Sequence, residues 1–324
     1  MNILVIGAGA FGLGLSYRLN KNGNKVTLYS CVKSEIETLK STRKNEHALP
    51  SFTLPKNITL STDIKEAYKD VQLVIIAVGS KYVLDVSLLI KPFYNKEHIV
   101  IASKGICEKT HKFASRIIKE VLNTKKVCTI SGPSFAKDLV NDSYVGLSVA
   151  ASNNVTYKLV LKALKSDTLK LRRTKDFRGV ELCGTMKNVL AIASGILEGL
   201  GVSDSTKAMF LTESLNDIRK FIKKMGGREK TILSFSGFGD IILSCTSPSS
   251  RNFTYGYMIG SGLDSSKLKE YLNNNTVEGV NTLKEINAII HSKKIKYPFI
   301  NILSNIVNNP TDPKILLEFL STKK

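Results

Sequence analysis

The chain has 324 residues, 43% of them hydrophobic, and its 47 Lys and Arg against 27 Asp and Glu give a formal charge of +20. That length holds two domains with cores of their own, and no uninterrupted apolar run approaches the roughly twenty residues of a membrane span. Five scattered cysteines without a C-x-x-C pair, and four histidines outside any motif, speak against a disulfide framework and against a metal centre.

Residues 1–30 read as strand, glycine turn, helix and second strand. Ile3 to Ile6 form an apolar run, and Gly7, Gly9 and Gly12 then fall at the G-x-G-x-x-G spacing. The helix that follows carries Leu13, Leu15 and Leu19 toward a second strand at Val26 to Tyr29. The first glycine permits the tight turn, the second removes the Cβ that would block a pyrophosphate, and the third lets the helix lie close on the strand. Placed between a strand and a helix, the spacing predicts a dinucleotide site. Where an NAD-preferring fold ends its second strand in Asp or Glu, this chain reads Ser30-Cys31-Val32-Lys33. With no carboxylate at that point to repel a 2′-phosphate, NADP or NAD is the expected cofactor, NADPH serving at least as well as NADH. Ser30 and Lys33 are the candidate contacts.

Residues 34–44 read as a helix, and 49–60, with Pro50 and Pro55, as irregular. The run VQLVIIAV at 71–78 has the continuous hydrophobicity of a strand buried on both faces. Helix 82–90, strand 99–103, helix 111–122, strand 126–131 and helix 135–139 continue the alternation. Strands 145–150 and 169–172, separated by a helix, extend the sheet at its edge. Such alternation predicts an α/β unit with a doubly wound parallel (Rossmann) sheet. Strand patterns vanish beyond 176, where 181–198, 205–224, 264–273, 282–293 and 298–306 read as helices. The expected organisation is therefore a dinucleotide-binding domain over 1–175 and an all-helical substrate domain over 176–324.

Ligands of such sheets bind at the carboxyl ends of the strands. Lys104 follows one strand directly, which aims its ammonium into the crevice, although a surface-turn lysine fits the local sequence as well. Gly132 and Ser134 offer amide and hydroxyl donors to an anion where a helix begins, or simply cap that helix. In the second domain the helix from Leu182 to Leu197 has a single charge, Lys187, beside Asn188. A lysine in so apolar a helix either snorkels or faces a polar cleft, and burial disfavours the charged form of an amine, which suits acid–base work. Residues 235–252, FSGFGDIILSCTSPSSRN, place a glycine-flanked Asp240 ahead of Ser244 and close in a polar loop of Ser249, Ser250, Arg251 and Asn252. A guanidinium forks onto two phosphate oxygens while such neighbours add donors. Asp240 either pairs with a catalytic lysine or serves a turn.

Taken together, GAGAFG, ASKGI, ISGPSFAK, GVELCGTMKNVLAIASGI, GFGDIILSCTSPSSRN and TVEGVNT, in that order from residue 2 to about residue 300, resemble the NAD(P)-dependent glycerol-3-phosphate dehydrogenases of the bacterial type. The resemblance implies reversible hydride transfer between NAD(P)H and dihydroxyacetone phosphate, giving sn-glycerol 3-phosphate for glycerophospholipid synthesis. It also implies a cytoplasmic homodimer, in keeping with a chain that opens on a core strand rather than a charged leader. A small phosphorylated substrate accounts for an anionic ligand. Nucleic acid is not expected, because the lysines are spread along the chain and form no basic stripe interleaved with aromatics.

Carried over by resemblance, Lys187 is the acid/base at the C2 oxygen, Lys104 an orienting cation in contact with both ligands, and Asp240 the carboxylate that sets the charge of Lys187. Gly132, Ser134, Asn188, Ser250, Arg251 and Asn252 become substrate contacts, Arg251 also reaching the cofactor. Ala10, Phe11, Ala136, Val277 and Glu278 complete the cofactor contacts. The chain departs from the family pattern at Gly79, usually Pro, at Ser244, usually Thr, at Ser203 and Ser205, usually Gly and Asn, and at Leu211 to Ser214. Two other readings are a ketopantoate or β-hydroxyacid reductase and an NAD(P)-sensing regulatory protein without catalysis. The first leaves Ser250-Arg251-Asn252 unexplained, and the second has no use for Lys187, Asp240 and Arg251.

Overall fold

The computed structural model describes residues 1–309 and 311–322. Its first elements are β1 (Asn2–Ile6), α1 (Ala10–Lys21), β2 (Lys25–Tyr29), α2 (Lys33–Thr42), β3 (Thr59–Ser61), α3 (Ile64–Ala67), β4 (Leu73–Ile76), α4 (Val83–Ile90) and β5 (His98–Ile101). A short hairpin of β6 (Ile106–Cys107) and β7 (Lys112–Phe113) precedes α5 (Ala114–Val121). Then come β8 (Val127–Ser131), α6 (Ala136–Val140), β9 (Val145–Ala151), α7 (Asn154–Leu164) and β10 (Leu169–Thr174). The hairpin and β3 carry too few apolar residues to show in the sequence pattern.

Eight of these strands form one sheet, in the order β10-β9-β8-β5-β4-β1-β2-β3. Both faces are covered, and the two-residue period of a strand divides its side chains between them. Ile3 and Val5 of β1 join one core with Leu13, Leu15 and Leu19 of α1, whereas Leu4 and Ile6 join the other with Val83, Ile90, Ile117 and Ile118 of α4 and α5. From β3 to β8 the pairings are parallel, but β9 runs antiparallel to β8 and carries β10 parallel to itself. The expected parallel sheet thus ends in a reversed pair. The reason lies in the connection: α6 has five residues and advances about 8 Å, half the roughly 16 Å spanned by the five residues of β8. It cannot return the chain to the start of β8, so the next strand runs back alongside it.

The second unit consists, among the described residues, of helices: α8 (Phe177–Gly199), α9 (Asp204–Lys224), α10 (Asp240–Thr246), α11 (Arg251–Gly260), α12 (Ser265–Asn274), α13 (Glu278–Ser292), α14 (Pro298–Asn308) and α15 (Ile315–Thr322). The compact units are Met1–Val180 and Glu181–Lys324, against an expected boundary near 175. The division falls inside α8, whose first turn packs with the first unit through Phe177. By length and composition α8 could cross a membrane, yet 89% of its most apolar stretch is buried. It is the central helix of a protein core.

Helices α8 and α11 run side by side in the same direction, with backbones nearly touching. A Cβ on Gly256 would lie 1.9 Å from the carbonyl oxygen of Ile192, one on Gly260 2.1 Å from that of Ile196, and one on Gly195 2.0 Å from that of Phe253. Each step of four along α8 is matched by a step of four along α11. That register sets Asn188 opposite Asn252, near the start of α11.

Candidate active site

In the first unit the glycine turn is a cradle made by missing side chains. Gly7 adopts φ +116°, which L residues avoid, and a Cβ there would meet the Ala77 carbonyl oxygen at 2.6 Å. On Gly12 a Cβ would come within 1.9 Å of the Gly7 carbonyl oxygen, while on Gly9 it would touch nothing within 4 Å. Gly9 is the N-cap of α1, and no side chain caps that helix. The first-turn amides of α1, from Ala10, Phe11 and Gly12, thus have no side-chain cap. Unpaired amides at the positive end of a helix dipole fit a pyrophosphate.

At the end of β2 the structure corrects the expectation of a site free of carboxylates. Ser30 is buried, and its hydroxyl donates to Glu35 Oε2 at 2.7 Å while accepting from the Val32 amide at 3.2 Å. Glu35 lies in the first turn of α2, five residues beyond the strand end. A carboxylate therefore stands at Ser30 although none follows it directly in sequence.

Lys104 lies three residues beyond β5 and is half-buried. Ser103, just before it, donates to the Val78 carbonyl at 2.6 Å, tying the exit of β5 to that of β4. Gly132, directly after β8, is packed so tightly that a Cβ would lie 2.1 Å from the Gly146 carbonyl oxygen of β9. Ser134 donates to the Gly132 carbonyl at 3.1 Å. It does not cap α6, whose N-cap is Phe135, so the helix-cap alternative is excluded and Ser134 braces the loop instead. Ala136 is the first residue of α6.

In the second unit Lys187 reaches a partner rather than snorkelling. Its Nζ donates to Asp240 Oδ1 at 2.7 Å and to Ser244 Oγ at 3.0 Å, all three residues being buried, Asp240 to 1% exposure. Two of the three ammonium hydrogens are thereby fixed and the third remains. A kink at Gly237 starts α10 at Asp240, so that Asp240 and Ser244, one turn apart, face the same lysine, while Arg251 and Asn252 of the expected polar loop open α11. Ser244 was not among the candidate residues. The Asp240-to-Ser244 interval was a readable signal for it once the segment is recognised as helix. The serine supplies a hydroxyl that holds the amine. Burial pushes the neighbouring Cys245 thiol up, although Lys187 pulls against it, so this cysteine stays protonated and inert.

A second network ties α8, α11 and α13. Asn252 donates from Nδ2 to Asn188 Oδ1 at 3.2 Å and accepts from the Gly279 amide at 2.8 Å, while Asn188 donates to Glu278 Oε2 at 3.2 Å. Glu278 is the first residue of α13, and Val277, its N-cap, is buried. Ser250 caps α11, accepting from the Phe253 amide at 3.4 Å, and Arg251 is exposed at the first position of that helix. A cavity of about 610 Å³ in the same unit is lined by Glu198, Lys207, Phe253, Tyr257 and others, and by none of the candidate site residues.

The glycine cradle on the doubly wound sheet of the first unit is that of the nicotinamide-dinucleotide dehydrogenases. The comparison with known proteins narrows the class. The model of the NAD-dependent glycerol-3-phosphate dehydrogenase N-terminus matches residues 2–157, and that of the C-terminus residues 176–318. The chain belongs to this family. It is 35% identical to the glycerol-3-phosphate dehydrogenase [NAD(P)+] of Thermoanaerobacter sp. (strain X514), covering 100% of this chain and 97% of that one. A Clostridium botulinum relative of the same name is 32% identical over 98% of this chain and 96% of its own. The crystal structure of glycerol-3-phosphate dehydrogenase from Coxiella burnetii is similar with a TM-score of 0.94 at 27% identity, covering 99% of each chain. A ketopantoate reductase from Ralstonia eutropha JMP134, at 14% identity and a TM-score of 0.52, shares the fold alone.

Proposed function

We propose that the protein catalyses the reversible reduction of dihydroxyacetone phosphate to sn-glycerol 3-phosphate with NADH or NADPH. The observation that carries the reading is the buried Lys187, held by Asp240 and Ser244 with one ammonium hydrogen remaining. When bound, the cofactor supplies or accepts the hydride at C2. Lys187 gives the C2 oxygen its proton in the reducing direction and takes it back in the oxidising one. Asp240 and Ser244 fix where Nζ stands and stabilise its ammonium between turnovers. Arg251 binds the phosphate, with Ser250 and Asn252 beside it. Lys104, Gly132, Ser134 and Asn188 orient the rest of the substrate, and Asn188 is itself aimed by Glu278 and Asn252. The glycine turn, Ala10, Phe11, Ser30, Ala136, Val277 and Glu278 hold the cofactor.

On the same family ground the protein is a cytoplasmic homodimer that supplies glycerophospholipid synthesis, a state checked by light scattering on the purified chain. The activity is tested by NADH and NADPH oxidation with dihydroxyacetone phosphate and, in parallel, with ketopantoate. Turnover with ketopantoate and not with dihydroxyacetone phosphate overturns the assignment. The sensor reading requires no turnover with either.

A further inference from the structure

We propose that Glu35 makes this protein prefer NADH over NADPH, a specificity that rests on the dinucleotide reading of the glycine turn and goes beyond it. The adenosine ribose of a dinucleotide lies at the end of the second strand of such a sheet, which here is Tyr29 followed by Ser30. The Ser30 hydroxyl donates its one hydrogen to Glu35 and accepts from the Val32 amide. It retains no donor for a 2′-phosphate. Glu35 is partly exposed, and Oε1 is the carboxylate oxygen that Ser30 does not engage. A ribose 2′-hydroxyl can donate to that oxygen, whereas a 2′-phosphate brought there meets a like charge.

Two features that would otherwise welcome the phosphate are answered within the chain. The positive end of α2 has no side-chain cap at Val32, and Glu35 is the acidic residue in its first turn, so the helix dipole has drawn its anion from its own sequence. Lys33 is exposed at the first position of α2, two residues before Glu35. Residues two apart project from different sides of a helix, so Lys33 does not neutralise that carboxylate. Among the described residues Glu35 takes part in no ion pair.

The test is equilibrium binding, followed by nicotinamide fluorescence and independent of turnover. The parent protein is expected to bind NADH at least about tenfold more tightly than NADPH, the repulsion being limited by partial exposure. Glu35→Gln keeps an acceptor for Ser30 and removes the charge, and should narrow the ratio by about tenfold through tighter NADPH binding. Equal or tighter NADPH binding by the parent overturns the role of Glu35 and leaves the dinucleotide site standing, as does an unchanged ratio in Glu35→Gln. Binding of neither cofactor overturns the dinucleotide reading and this inference with it. The parent ratio alone decides the matter if the variant does not fold.

Discussion

The glycine turn of the first unit and the lysine cluster of the second are built in opposite ways. The turn is made of backbone and of side chains that are absent, all within residues 7–12. The cluster is made of side chains brought from far along the chain, with Lys187 separated by 53 residues from Asp240 and by 57 from Ser244. The network beside it spans 64 residues between Asn188 and Asn252 and 90 between Asn188 and Glu278. A site of the first kind fails by steric intrusion. One of the second kind fails when a partner is left buried and uncompensated.

Lys187→Ala breaks the comparison most severely. Acid–base catalysis contributes about 10² to 10⁴, so kcat should fall by about 10² or more. Leaving Asp240 buried without its cation should cost a further ~3–5 kcal/mol of stability, seen as a lower melting temperature. The NADH dissociation constant should not change, because the cradle lies elsewhere in the chain. Parental turnover by this variant would remove Lys187 from the mechanism.

Two glycine substitutions separate fold from function within the cradle itself. Gly12→Ala forces a Cβ against the Gly7 carbonyl and should lose about 3 kcal/mol of stability. Gly9→Ala meets no atom, so melting should shift by about 1 kcal/mol or less while NADH binding weakens by at least about tenfold. If both variants fold and bind alike, the open space at Gly9 is not where the pyrophosphate lies.

Arg251→Ala probes the exposed end of α11, where no buried partner is stranded. The loss should appear in KM for dihydroxyacetone phosphate, at about 2 kcal/mol or more, with stability unchanged. An unaltered KM would place the phosphate on other residues. The smallest effect is expected at Gly79, which departs from the family's usual Pro yet adopts φ −59°, close to the value that proline fixes. Gly79→Pro should stabilise by about 0.4–1 kcal/mol through the unfolded chain, measurable by denaturant titration, and a destabilised variant would show that the backbone before Gly79 cannot accept the ring.

The sequence by itself determined the alternating strands and helices of the first unit, the helical second unit, and the glycine turn, because each is written in local periodicity or spacing. It singled out Lys187 for the same reason, as a lone charge in an apolar helix. It also named Asp240, as the partner of a catalytic lysine or a turn residue, and Arg251, as a phosphate contact. The reversed pair β9 and β10 was beyond local pattern, since strand direction depends on whether a connection is long enough to return the chain. Ser244 gains its part only in the structure, because a kink at Gly237, where a Cβ would strike the Ile232 carbonyl oxygen at 2.2 Å, starts a helix that sets Ser244 one turn beyond Asp240. The absence of a carboxylate after β2 was read correctly from the residues and wrongly for the site. A helical turn carries Glu35 back to Ser30, and sequence order does not record which side chain a turn returns to the strand it left.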